Sequence, residues 1–274
     1  MAFKVWFITG TSRGLGRVWA QAALARGDKV VATARSVESL APLVARYGDA
    51  VLPLTLDVAD RDAVFAAIDT AMAHFGRLDV VVSNAGYALF GTIEESSEPQ
   101  ARAQFDTNLF GTLWVIQAAL PHLRAQGRGH VLVTSSVAGV ITFPTAGVYN
   151  ATKWAVEGLT ETLASEVGAF GIKVTLVEPG GYDTDWRGDS AISAEPLPAY
   201  EELRQKIKAM SANRVLGHPA ATASAILAVV DAEAPPLRLF LGKAGLPAAK
   251  QAYAQRMSTW EAWSAISEEA QGAA

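Results

Sequence analysis

The sequence predicts a doubly wound α/β fold, a mainly parallel sheet covered by helices on both faces. Three observations predict it. Short β-rich runs alternate with longer helical patterns along the chain. The short runs are continuously apolar rather than alternating, as strands buried on both faces must be. Glycines recur just past the ends of the helical stretches, where a left-handed residue closes a helix.

The elements follow in order. Residues 5–9 read as a buried strand and 14–26 as a helix stopped by Gly27. A strand over 29–34 precedes a helix over 37–47 that ends at Gly48. A strand over 50–56 precedes a helix over 61–75 that ends at Gly76. Residues 78–83 are a strand, and a long helical region lies within 99–126. A strand over 130–135, a helix over roughly 148–169 and a strand over 173–177 come next, and 238–242 is the last strand. Residues 181–211 break the rhythm. They are polar, carry Trp186, Tyr200 and two prolines, and read as an insertion over a site, a substrate lid over about 181–215. The tail over 246–274 reads as one helix, 248–267, with an alanine-rich end. No linker or repeat interrupts the chain, so residues 1–274 are expected to form one domain.

Composition narrows the chemistry. The 274 residues contain no cysteine, which removes thiolate nucleophiles, disulfides and cysteine-ligated metals together. Four scattered histidines make a histidine metal site unexpected, so no metal is predicted. A net charge of −4 argues against generic nucleic-acid binding, which needs a basic face. No apolar run approaches the roughly 18–20 residues that span a bilayer. The first residues run straight into Thr9-Gly10 without a cleavage-site pattern, so a cytoplasmic location is expected.

Gly10-Thr-Ser-Arg-Gly14-Leu-Gly16 joins the first strand to the first helix. Glycines here let the backbone approach a pyrophosphate seated on the helix N-terminus. The same residues fit G-x-S-x-G, a hydrolase nucleophile elbow at Ser12. Only one strand precedes Ser12, however, and His218 is the only histidine in a late loop, so that reading is disfavoured. The second strand ends Thr33-Ala34-Arg35-Ser36. It has no acid there to hold a free ribose 2′-hydroxyl, whereas Arg35 and Arg13 suit a 2′-phosphate. NADP is therefore expected over NAD.

Tyr149-Asn-Ala-Thr-Lys153 places a phenol and an ammonium at i and i+4 on one helix face. A nearby cation favours the phenolate, so such a tyrosine can exchange the proton of a carbonyl–alcohol pair. Asn150-Ala151-Thr152 also fits a glycosylation sequon, which a cytoplasmic helix makes accidental.

Together, Thr9 to Gly16, Asn84-Ala85-Gly86, Ser135-Ser136, Tyr149-x-x-x-Lys153 and Pro179-Gly180 occur in order at strand ends and helix starts. This set closely resembles the short-chain dehydrogenase/reductase superfamily, in its single-domain Rossmann-type branch, over about residues 3–242. The resemblance implies that Ser136 polarises the substrate oxygen and that Tyr149 is general acid in reduction and base in oxidation. Lys153 would lower the tyrosine's pKa and bind the nicotinamide ribose. Asn108 would hold a water linked to the lysine. Gly10, Ser12, Arg13, Gly14, Leu15, Gly16, Arg35, Asp57, Val58, Asn84, Ala85, Gly86, Pro179, Gly180 and Thr184 would line the cofactor cleft, with Asp57 on the adenine. Ser83 stands where many relatives have a second asparagine. No position of the catalytic pattern is missing, which argues against a non-catalytic redox-sensing module. A dehydratase, epimerase or isomerase on the same fold remains the rival enzyme class.

The substrate wall is assigned to Tyr87, Phe90, Val137, Phe143, Tyr182, Trp186 and Tyr200. These are mainly apolar and predict a hydrophobic ketone or secondary alcohol. Arg187 and Arg214 are the exceptions that could meet an anionic group. The long helices carry apolar residues on more than one face, and the resemblance implies a homodimer or homotetramer.

Overall fold

The computed structural model describes residues 3–187, 191–211 and 215–272. In chain order the strands are β1 (Val5–Ile8), β2 (Lys29–Ala34), β3 (Val51–Thr55), β4 (Val80–Ser83), β5 (Leu89–Phe90), β6 (Gly129–Thr134), β7 (Ile172–Pro179), β8 (Ile192–Ser193) and β9 (Arg238–Leu241). The helices are α1 (Gly14–Ala25), α2 (Ala41–Tyr47), α3 (Arg61–Phe75), α4 (Glu98–Phe105), α5 (Gly111–Gln126), α6 (Gly147–Val167), α7 (Glu201–Ser211), α8 (Thr222–Asp231), α9 (Gly245–Ala262) and α10 (Ser264–Glu269).

Seven strands form one sheet in the order β3-β2-β1-β4-β6-β7-β9. Every neighbouring pair in it is parallel. The apolar runs have a direct cause in the packing. Val5 and Phe7 of β1 face one core with α3, α5 and α6. Trp6 and Ile8 face the other core with α1, α2 and α8. Alternate residues of one strand therefore enter different cores, so neither set can be polar. The buried indoles keep their N–H groups paired: Trp6 Nε1 donates to Asp28 and Trp19 Nε1 to Thr222. Among the described residues, no helix is long and apolar enough to cross a membrane.

The structure departs from the sequence expectation at five places. No element is expected between residues 211 and 238, yet α8 lies there and packs Ile226 and Val230 against the α1 face. Its buried Thr222, Ile226, Val229 and Val230 keep helical spacing, but the span is short and apolar between them too, so the stripe is weakly marked in the sequence. The polar insertion contains α7, a charged helix with no buried residues. The 99–126 region is two helices joined by a π-helical turn, Asp106–Phe110. The tail helix starts at Gly245 and breaks at Trp263, giving α9 and α10. A two-residue pairing, β5 with β8, also escaped notice.

The strand order reverses between β1 and β4. The chain leaves the carboxyl ends of these two strands in opposite directions, which opens a crevice above them. Residues 9–16 and 84–86 lie on its two sides.

Candidate active site

The crevice floor is tied together by Thr9 and Asn84. The buried Thr9 hydroxyl accepts from the backbone N–H of Asn84 and of Ala85, both at 2.9 Å. Asn84 Nδ2 donates back to the carbonyls of Thr9 and Gly10, at 2.9 and 3.2 Å. The glycine turn is shaped by this contact. A Cβ at Gly16 would stand 2.4 Å from Asn84 Nδ2 and 2.5 Å from the Gly10 carbonyl. Gly10 and Gly14 have φ of +70° and +60°, which favour glycine.

The turn fits an anionic cofactor. No side chain caps the first turn of α1, so its N–H groups face the crevice unclaimed by a capping oxygen. Arg13 and Arg35 are exposed, and among the described residues neither forms an ion pair. Gly14, Arg17 and Thr184 line one cleft, which brings the segment after β7 across from the turn. Leu15 packs into the α1-side core, and Ser12 lends its carbonyl to Arg17. No histidine or carboxylate among the described residues bonds the Ser12 hydroxyl. Asp57 is exposed and folds back on the Ala59 N–H, while Val58 is buried under Gly111. Ala85 is half-buried, and Gly86 lies where a Cβ would come 3.0 Å from Asn108 Oδ1. The buried Pro179 offers its carbonyl to Ser136 Oγ at 3.5 Å, and Gly180 N–H bonds Leu241.

The proton-transfer candidates converge. Ser136 follows β6, and Tyr149 and Lys153 lie one turn apart in α6. Tyr149 is 7% exposed. Burial pushes its phenol above the usual value, and a hydrogen bond with the Ser136 side chain pulls it back. Lys153 Nζ donates to the Thr134 carbonyl at 2.7 Å and lies 5.9 Å from the Tyr149 ring centroid. Burial lowers the ammonium to about 8, against a pull upward from Glu157. Desolvation therefore dominates both groups.

Asn108 sits within the π turn. Its Oδ1 accepts from Tyr87 N–H at 3.1 Å. Its Nδ2 donates to the Tyr87 carbonyl at 3.0 Å and to Thr152 Oγ1 at 3.1 Å. A π turn in a helix often marks a functional site. Gln104 donates to the same Tyr87 carbonyl. Gln104, Thr134 and Thr152 escaped the sequence reading because they act through backbone groups and neighbouring side chains.

The expected substrate wall divides. Trp186 presents an edge to Tyr149 at 5.2 Å between centroids, and Phe90 joins that cluster. Val137 is buried next to Ser136 and meets the start of α9. Tyr87 is held through its backbone by Asn108. Tyr182 instead packs into the α1–α8 core, its ring over Gly217. Tyr200 donates to Glu94 on the surface, and Phe143 is 38% exposed. The Arg187 side chain and Arg214 lie outside the described residues.

Comparison with known proteins agrees with this geometry. The family described as short chain dehydrogenase matches residues 4–195, so the chain belongs to the short-chain dehydrogenase family. Oxidoreductase BOA17 of Botryotinia fuckeliana is 41% identical over 96% of this chain and 98% of its own. A 3-ketodihydrosphingosine reductase of Bacteroides thetaiotaomicron is 33% identical, covering 87% of this chain and 88% of its own. Among solved structures, a short-chain dehydrogenase from Streptomyces avermitilis superposes with TM-score 0.91 at 38% identity, covering 98% of each chain. An alcohol dehydrogenase from Thermococcus sibiricus complexed with 5-hydroxy-NADP gives 0.73 at 30% identity, covering 88% of this chain and 96% of its own. A family member from Burkholderia phymatum in complex with NAD gives 0.78 at 26%, covering 90% and 92%. The chain is an oxidoreductase of this family, with a nicotinamide dinucleotide as its cofactor class.

Proposed function

We propose that the protein transfers hydride between NADP(H) and the carbonyl or secondary alcohol of a mainly apolar small molecule. The observation that carries this is the buried Tyr149 phenol, influenced by the Ser136 side chain, edged by Trp186 and followed one turn later by Lys153. When bound, the nicotinamide supplies hydride for reduction or accepts it in oxidation. Ser136 Oγ donates to the substrate oxygen and fixes it beside the phenol. In reduction Tyr149 gives its proton to that oxygen, and in oxidation its phenolate takes the proton back. The raised phenol pKa suits the donor role at neutral pH. Lys153, held by the Thr134 carbonyl, stabilises the phenolate left behind.

Arg35 supports NADP over NAD because it is exposed at the end of β2, where the strand itself ends without an acid. The apolar cluster of Phe90 and Trp186 supports a hydrophobic substrate. The similarity to a 3-ketodihydrosphingosine reductase points the same way. We read residues 1–274 as one domain with a lid near 181–215, in a cytoplasmic homodimer or homotetramer. Phe110, 40% exposed and stacked on Trp114, supports a subunit contact on α5.

The test is NADPH and NADH oxidation over ketones of graded size and polarity. Steady NADPH consumption rising with apolar size is expected. Turnover of a substrate without net change in NADPH absorbance would replace this reading with an isomerase or dehydratase.

A further inference from the structure

We propose that Glu95 is a positioning residue for substrate binding, locking the lid segment 191–204 onto the strand that supports the approach to Tyr149. This rests on the oxidoreductase reading above.

Glu95 lies in the loop between β5 and α4, at the surface, yet its side chain is 2% exposed. Its carboxylate accepts from the Thr92 N–H at 2.7 Å, the Leu197 N–H at 2.7 Å and Arg204 Nη1 at 2.6 Å. A carboxylate withdrawn from water is tolerated when charged or backbone donors surround it. Two of these three donors come from the lid, separated from Glu95 by 102 and 109 residues. The backbone donors, Thr92 first and then Leu197, hold the carboxyl near 2, so the lock stays ionised at neutral pH.

The lock sits at the end of a three-ply seam. On the outer ply, Ile192 N–H donates to Ala88 at 2.9 Å and Ala194 N–H to Phe90 at 2.7 Å. Gly91 allows this closeness, since a Cβ there would stand 2.7 Å from Ala194 Cβ. On the inner side, Gly91 N–H donates to the Thr145 carbonyl at 2.8 Å and Gly91 bridges Ala146, just ahead of α6. Thr145 has φ of +60°, a costly conformation for a β-branched residue that persists only where its surroundings hold it. β5 is thus the middle ply between the lid and the entry to the tyrosine helix. Trp186 edges Tyr149, and Phe90 of that ply packs on the cluster that contains it. Releasing Glu95 frees the outer ply and loosens the apolar wall. It leaves Ser136, Lys153 and the glycine turn untouched.

Two variants of the full chain test this, Glu95→Ala and Glu95→Gln. Glutamine keeps one acceptor oxygen, enough for one of the two amides, which meet different carboxylate oxygens, and loses the charge facing Arg204. Steady-state kinetics with graded apolar ketones are paired with hydrogen exchange. In Glu95→Ala the KM for the bulkiest ketone should rise about tenfold while kcat changes less than about twofold. NADPH affinity should be unchanged. Exchange should accelerate over 191–204 and not in α6 or the seven-stranded sheet, with Glu95→Gln intermediate. Fast lid exchange with unchanged KM for every ketone would overturn the proposal, as would unchanged exchange. Loss of protection throughout the sheet, with kcat falling equally for all substrates, would reduce Glu95 to a stability residue and also overturn it. If the unaltered protein turns over no ketone, the oxidoreductase reading fails instead, and the exchange arm still decides whether Glu95 holds the lid.

Discussion

Tyr149 and Lys153 are partners in one reaction but are pushed by burial in opposite directions, the phenol up and the ammonium down to about 8. Tyr149→Phe removes the phenolic proton assigned to the substrate oxygen. Ketone turnover should fall by about 10²–10⁴-fold, with NADPH affinity kept, as read by steady-state rates and cofactor titration. Lys153 has a measurable cost to the fold. Its folded value is depressed from 10.5, so the unfolded chain binds more protons between about pH 8 and 10.5, and this group's contribution improves as pH rises through that window. Below it the cost is fully present. Lys153→Met should therefore stabilise the protein at pH 7 while abolishing turnover. The gain should be roughly 3 kcal/mol from the shift less about 1 for the lost bond to Thr134, read by urea unfolding. Arg35→Ala should weaken NADPH by about tenfold or more and leave NADH nearly unchanged, as titration of both cofactors will show.

The elements show what a sequence displays and what it hides. Where an element is long and its ends carry glycine, as in Arg61–Phe75 before Gly76, its limits were readable to the residue. The central strands were readable because both faces are buried. α8 and the β5–β8 pair were not, since one is apolar on several sides and the other is two residues long. The glycine turn was legible as a motif, but the reason for Gly16 was not. That reason is the Asn84 amide, which arrives from a strand on the other side of the crevice. Gly16→Ala should cost about 1–3 kcal/mol through overpacking and also weaken cofactor binding, measured by unfolding and titration.

For the molecule as a whole, acid is the expected weakness. His130 is 4% exposed, and its Nε2 lies 3.0 Å from Thr175 Oγ1. Burial, then Lys173 and Lys4, depress it from 6.5 to about 4. The unfolded chain takes up a proton that the folded chain refuses between those values. Stability should therefore fall as pH drops from about 6.5 to 4, by up to about 3 kcal/mol. His130→Gln should flatten that fall, compared by urea unfolding at pH 7 and pH 5. The ordered motifs made the candidate site legible at this scale, because each lies at a strand end or helix start that the topology gathers at one crevice. The substrate wall was less legible. Tyr182 and Trp186 are both aromatic and four residues apart, yet one enters the α1–α8 core and the other faces Tyr149. Only the path of the insertion decides between them.

The π turn at Asp106–Phe110 changes how this region can be altered. It holds one residue more than an α-helical turn would, so α4 and α5 run out of phase by about 100°. A helical wheel drawn from 98 to 126 mixes two faces and cannot place Asn108. Deleting one residue there would restore an even winding and swing Asn108 off Tyr87, while every side chain of the motif stayed in the sequence. The site depends on a count as well as on a set of residues.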